Sequence, residues 1–369
     1  MKGENGGKTG ETMGAFLSMA IRLGAGVGIF LYGLQLISSY LEELAGPVME
    51  KGLQRLTGNV WIGSLTGTVI TALVQSSTAI TVMTVNLVDK GMMTLEQAAG
   101  VILGANIGTA TTGLMAALPI RFLAPLLLVG GALLVLGEDV AHRLIGSLAG
   151  RCRARGSLAG SRRAGSAGKI PGKGKTVGAV SMGLGMLLLG MELMQAAMAP
   201  YRSSPALLRL MTGLGKPLAG VLGGAAFTAI IQSSSASVAI LQSLAAEGIV
   251  GLQQSAYIVY GQNIGTCVTA LWASAHLSPA ARSCARLHLL INLLGTGIFL
   301  AADCVLPLTA WIGSWTPDSP ALQVANLHLF FNLASTVLLL PFGRQLVKIS
   351  LFFPKFVLYN RQKKGYDKA

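Results

Sequence analysis

A glutamine followed by hydroxyl residues, Gln75-Ser76-Ser77-Thr78, is written a second time as Gln232-Ser233-Ser234-Ser235, an offset of 157 (232 − 75). Both copies interrupt apolar sequence, where hydroxyls and an amide are costly unless something binds them. A second pair keeps the offset: Gly104-Ala105-Asn106-Ile107-Gly108-Thr109 and Gly261-Gln262-Asn263-Ile264-Gly265-Thr266, each asparagine 31 residues after its glutamine (106 − 75 and 263 − 232). A constant offset means that no net insertion or deletion separates the copies. The chain therefore reads as two homologous halves whose four polar segments meet at one site.

Of the 369 residues, 52% are hydrophobic and 11% charged, against about 25% charged in soluble domains, and the mean hydropathy is +0.62. The chain divides into membrane spans of roughly 20 residues better than into soluble domains. Its 48 glycines fit close helix packing and broken helices in a bilayer. The net charge of +14 is concentrated in two places. Residues 140–176 hold Arg143, Arg151, Arg153, Arg155, Arg162, Arg163, Lys169, Lys173 and Lys175 and no acid; the tail from 353 holds Lys355, Arg361, Lys363, Lys364 and Lys368 against Asp367. These runs flank apolar spans and lack interleaved aromatics, so no nucleic-acid partner is expected, and the positive-inside rule places both on the cytoplasmic side. Cys152, Cys267, Cys284 and Cys304 show neither metal-ligand spacing nor a disulfide framework. The apolar run from about Ala15 has no small-residue cleavage site and reads as a first span, not a removed signal.

The expected fold is an all-α polytopic membrane protein of two inverted-topology repeats, each with a re-entrant helical hairpin and a broken transmembrane helix. The first repeat is 1–139, with a span at 14–38, an amphipathic connector over 41–56, the hairpin at 58–88, the broken helix at 95–117 and a crossing at 121–138. A basic cytoplasmic linker, 140–175, follows. The second repeat plus a final span covers 176–352, with a first span at 176–199, the hairpin at 218–246, the broken helix at 250–275 and crossings near 284–303 and 324–350. The basic tail is 353–369. Each repeat contributes an odd number of crossings whether its hairpin counts as zero or two, so the second copy is inverted relative to the first. The linker and tail then share the cytoplasmic side of an inner membrane and the N-terminus lies outside. Arg202, Arg209 and Lys216 fall on the outer side in this scheme, against the charge rule.

The chemistry follows from the same segments. A serine-rich tip opening a half-helix offers hydroxyls, free backbone N–H groups and the positive end of the helix dipole, so two facing tips make a pocket for an anion. The glutamine amides add donors and acceptors. The Asn-Ile-Gly-Thr breaks offer hard neutral oxygens suited to sodium through Asn106, Gly108, Thr109, Asn263, Gly265 and Thr266. A cation beside an anion offsets part of the desolvation of both, a physical reason for coupled transport. His288 with Asn292 and His328 with Asn332 lie four apart on helical faces; they read as interhelical hydrogen-bonding groups or as titrating accessory groups. Glu192 matches Gln35 across the repeat (192 − 157), a shared polar position that suggests a face turned into the bundle.

These motifs resemble the signature of the type II sodium–phosphate cotransporter family, a duplicated Gln-Ser-Ser-Ser with a following Gly-Ala-Asn-Ile-Gly-Thr, and the resemblance covers nearly the whole chain. It implies sodium-dependent transport of inorganic phosphate by alternating access, with Gln75, Ser76, Ser77, Gln232, Ser233 and Ser234 at the site, and a fold similar to that of sodium–dicarboxylate symporters. Two positions depart from the signature: Thr78 replaces a serine and keeps the hydroxyl, and Gln262 replaces an alanine and adds polarity. The long C-terminal cytoplasmic domain of many bacterial relatives is expected to be missing. A phosphate exporter, or a carrier of another oxyanion such as sulfate, fits the same tips, because donors at helix ends recognise any small oxyanion. A transporter-like sensor is a further alternative. An intramembrane hydrolase pairing Ser234 with His288 would need one activated serine, whereas the sequence has two equivalent clusters and no Gly-x-Ser-x-Gly elbow; no catalytic residue is assigned.

Overall fold

A computed structural model describes residues 4–55, 58–153 and 173–352. Its regular elements are all helical: α1 (Glu4–Arg55), α2 (Val60–Val74), α3 (Ser77–Asp89), α4 (Leu95–Ala117), α5 (Ala124–Arg153), α6 (Lys173–Met198), α7 (Pro205–Leu214), α8 (Pro217–Ile231), α9 (Ser234–Ala246), α10 (Leu252–Ala273), α11 (Pro279–Asp303), α12 (Leu308–Gly313) and α13 (Pro320–Leu339). Among the described residues five stretches are helical, long and apolar enough to cross a membrane: Phe16–Glu43, Leu95–Ala117, Lys173–Tyr201, Pro279–Asp303 and Pro320–Phe352. The pair α7 and α8, bent by 106°, makes a sixth when counted as one span. The chain is a multi-pass membrane protein. Trp61, Leu65, Val69 and Leu73 of α2 are exposed, as are Leu218, Leu222 and Ile230 of α8, apolar faces that suit lipid.

The 157-residue offset reappears in the helix boundaries. α2 and α8 start at 60 and 217, α3 and α9 at 77 and 234, and α4 and α10 at 95 and 252. Gly91 and Gly248, again 157 apart, take the same positive φ of 68° in the turns that follow α3 and α9. Asp89 Oδ1 accepts from the backbone N–H of Ser278 at 2.8 Å, tying the end of α3 to the start of α11.

The long first helices cross through interlocking glycines. A Cβ on Gly33 would lie 2.6 Å from the Gly183 carbonyl oxygen, and one on Gly190 would lie 2.8 Å from that of Gly26. Residue 26 thus meets 190 while 33 meets 183, so α1 and α6 run antiparallel. Phe30, Leu187, Leu188, Met191 and Met194 close the core around that crossing.

Two expectations are corrected. The connector over 41–56 does not begin a new element: α1 runs on without interruption through its polar positions to Arg55. Nor are the helices at 95–117 and 250–275 broken; α4 continues through Gly104–Gly108 and α10 through Gly261–Gly265. Their glycines serve contact instead. A Cβ on Gly104 would lie 1.9 Å from the Ser64 carbonyl oxygen, and one on Gly100 2.3 Å from that of Val60. In the second half a Cβ on Gly261 would lie 2.0 Å from the Val221 oxygen and one on Gly265 2.4 Å from the Ala225 oxygen. Small residues every fourth position let two backbones approach this closely, so α2 lies against α4, and α8 against α10, in parallel. Part of the basic linker and the whole tail at 353–369 lie outside the described residues; the linker's first part, to Arg153, continues α5.

Candidate functional site

Each tip is a helix stop followed at once by a helix start. α2 ends at Gln75 (φ 59°, ψ 22°) and α8 at Gln232 (φ 58°, ψ 20°), both left-handed, their N–H groups donating to the carbonyls of Thr71 and Thr228 at 2.8 and 2.7 Å. They are the only non-glycine residues with positive φ among those described. Ser76 and Ser233 then cap α3 and α9, their Oγ atoms accepting from the N–H groups of Ala79 and Ala236, each at 3.2 Å. A capping hydroxyl that accepts in this way still has its own proton to donate. The N–H groups of Ser77, Thr78, Ser234 and Ser235 lie in the first helical turn, where no intrahelical acceptor exists. Two helix N-termini also bring about half a positive charge each.

All eight tip residues line one cavity of about 480 Å³, whose remaining wall is Leu31, Leu34, Gln35, Ser38, Ser39 and Glu42 of α1. At about 30 Å³ per water, it holds a small oxyanion with several waters. The tips are not equivalent. Gln75 Oε1 accepts from Thr112 Oγ1 at 2.6 Å, and its Nε2 donates to Thr111 Oγ1 at 3.4 Å and to the Ala72 carbonyl. Position 111 becomes Val268 in the second half (111 + 157), while Thr269 Oγ1 donates to the Thr266 carbonyl at 2.9 Å. The Gln232 side chain is exposed in the cavity and makes no hydrogen bond among the described residues.

The Asn-Ile-Gly-Thr segments do not line this cavity. Asn106 Nδ2 donates to Asn292 Oδ1 at 3.2 Å, and Asn263 Nδ2 to the Val259 carbonyl at 2.9 Å. Thr109 and Thr266 donate to the carbonyls of Ala105 and Gln262, both at 2.9 Å. Gly108 and Gly265 pack on Thr71 and Thr228, directly behind the tips. With both helices unbroken, the carbonyls expected to be freed there for sodium stay in the helical ladder. Gln262 proves to be a packing device: its Nε2 donates to the Ser237 carbonyl at 3.0 Å, joining α10 to α9.

His288 and Asn292 are buried, and Asn292 Nδ2 donates to the His288 carbonyl at 2.9 Å and to Cys267 Sγ at 3.4 Å. Asn332 repeats the backbone bond to His328 at 2.9 Å. Asn292 thus bridges α4, α10 and α11, the hydrogen-bonding role. His288 Nδ1 has no partner and His288 does not line the cavity, so Ser234 and His288 are not brought together. Glu192 and Gln35 are also separated: Gln35 lines the cavity, whereas Glu192 is exposed elsewhere on α6. Sequence reasoning missed Ser38, Ser39 and Glu42. Their signal was the spacing of 35, 38, 39 and 42, one helical face, divided between a presumed span and a presumed connector.

A family model described as Na+/Pi-cotransporter matches residues 29–150 and 186–303. The chain belongs to the Na+/Pi-cotransporter family. Both tips and the α1 wall of the cavity lie within the segments matched to the Na+/Pi-cotransporter model. Among relatives, "Uncharacterized protein YqeW" of Bacillus subtilis (strain 168) is 28% identical over 319 residues, 85% of this chain and 91% of its own. "Putative inorganic phosphate export protein YjbB" of Escherichia coli (strain K12) is 28% identical over 323 residues, 87% of this chain. The chain spans about half of that relative's length, 53%. Human "Sodium-dependent phosphate transport protein 2B" is 32% identical over 91 residues, 24% of this chain and 13% of its own. No solved structure matches the chain.

Proposed function

We propose that this Na+/Pi-cotransporter family member carries inorganic phosphate across the cytoplasmic membrane by sodium-coupled alternating access, the phosphate held between Gln75–Thr78 and Gln232–Ser235. The observation that carries this reading is the convergence of both serine tips on one cavity. Four first-turn N–H groups, hydroxyls and two dipoles are aimed where an oxyanion would sit, replacing its hydration. The two halves are read as inverted repeats, each tip as the turn of a re-entrant hairpin. Antiparallel packing of α1 on α6 through glycines 26, 33, 183 and 190 supports this, as does the parallel seating of α2 on α4 and α8 on α10. Such a pair of halves can exchange roles, which is what alternating access requires. The linker and tail are assigned to the cytoplasmic side by their basic charge.

The test is uptake of labelled phosphate into proteoliposomes, with and without an inward sodium gradient and with excess unlabelled sulfate. Gradient-driven uptake that sulfate does not displace is expected. Sodium-independent flux would remove the coupling, and absence of phosphate movement would remove the substrate. The family relative named for export motivates the same assay with phosphate and sodium loaded inside; exclusively outward flux would reverse the direction.

A further inference from the structure

Among the described residues, the only formally charged side chain lining the cavity is an acid. Glu42 stands on the α1 wall with Gln35, Ser38 and Ser39, in the same cavity as the two tips, and no described lysine or arginine lines the space. A cavity built to attract an anion therefore also contains a like charge, which would oppose that anion. Ser38 Oγ donates to Glu42 Oε1 at 3.1 Å, which fixes the carboxylate beside the hydroxyl on the α1 wall. A bound cation would offset its charge. The ligands are at hand: the Glu42 carboxylate, the lone pairs of Ser38 and Ser39, and the amide oxygen of Gln35, all hard oxygens on one helical face. A single formal charge among neutral oxygens suits a monovalent ion, because calcium sites gather several carboxylates.

We propose that Glu42, with Ser38 and Gln35, binds a sodium ion in the α1 wall of the cavity, and that this ion lets the anion settle between α1 and the tips. The proposal rests on the reading of the cavity as the phosphate site. It differs from a site at the Asn-Ile-Gly-Thr segments, whose polar side chains bond to protein groups. It is also asymmetric: the second-repeat positions of Glu42, Ser38 and Gln35 are Ala199, Gln195 and Glu192 (each + 157). The site therefore exists once per chain.

The experiment is equilibrium binding of labelled sodium to the purified full chain, with and without phosphate, followed by phosphate flux in the same preparations. Wild-type protein is expected to bind sodium, more tightly with phosphate present. Glu42→Gln, nearly the same shape without the charge, should weaken sodium binding about tenfold or more. It should raise by a similar factor the sodium concentration giving half-maximal flux. Glu42→Asp, which keeps the charge one methylene further back, should fall between, and it decides the matter if Glu42→Gln does not fold. Glu43→Gln, at an exposed position outside the cavity lining, should bind sodium as wild type does. Sodium binding unchanged in Glu42→Gln, or absent from the wild type under both conditions, overturns the proposal. Glu42-dependent sodium binding without any phosphate flux would leave this site standing and remove the phosphate reading instead.

Discussion

Gln75 and Gln232 share a backbone conformation and a cavity but differ in their side-chain partners. Removing the Gln75 amide leaves the Thr112 hydroxyl, fully buried and donating to it at 2.6 Å, without its acceptor, at a cost of about 1–3 kcal/mol. The exposed Gln232 amide has no such partner, so its truncation should change stability by no more than about 0.5 kcal/mol. Gln75→Ala should therefore lower the unfolding midpoint of the purified protein measurably more than Gln232→Ala does, while both abolish phosphate flux. Equal midpoints would mean that the Thr112 bond is not made, and normal flux in both variants would take the tips out of the mechanism. The repeat made these glutamines legible, because duplication marks what two halves have in common. It concealed their difference, which depends on Thr111 against Val268, a position outside any motif. It concealed Glu42 for the same reason, since its counterpart is Ala199.

At the scale of helices, the starts and stops beside the two tips could be read from the chain. Serine after glutamine is a cap after a stop, and the elements on either side fall within a few residues of their expected bounds. The glycines of α4 and α10 could not be read so directly. A glycine inside an apolar run fits a break, where it frees the backbone, and equally a close crossing, where it removes a side chain. Only the neighbour decides between them, and the neighbour of Gly104 is the Ser64 carbonyl. Gly104→Ala should therefore destabilise the protein by about 1–3 kcal/mol, since a backbone oxygen cannot turn aside as a side chain can. Gly28→Ala, where a Cβ meets nothing within 4 Å, should be neutral or stabilising by up to about 1 kcal/mol. Thermal unfolding of the two variants in detergent separates them, and a fully tolerated Gly104→Ala would restore the broken helix.

Over the whole molecule the two halves match in sequence but not in packing. α6 packs against α9, whereas α1 and α3, the corresponding pair, face each other across the cavity. Under the proposed alternating access, such an arrangement is one of two related by the repeat, and exchanging the two relationships would open the other side. Inversion carries a direct expectation for topology. Asn59 and Lys216, the exposed residues that precede α2 and α8, occupy matching positions 157 apart and should lie on opposite sides of the membrane. In a cysteine-free background, Asn59→Cys and Lys216→Cys should react with an impermeant thiol reagent from opposite faces of oriented vesicles. Labelling of both from the same face would mean that the halves are parallel. The expectation of inversion comes from parity alone. The difference in packing between the halves could not be read from the sequence, because matching residues do not fix which helices touch.

The left-handed backbone at the tips has a further consequence for how the protein can be improved. Holding a residue with a Cβ in that region costs roughly 1–2 kcal/mol, and glycine would avoid it, yet both positions carry glutamine. At position 232 no side-chain bond offsets the strain, so Gln232→Gly should make the protein more resistant to heat, by about 1 kcal/mol, and unable to move phosphate. Selection for thermostability alone would then be drawn to this position and would return a well-behaved, inactive protein. A screen that scores heat resistance and flux together is the one that keeps the glutamine.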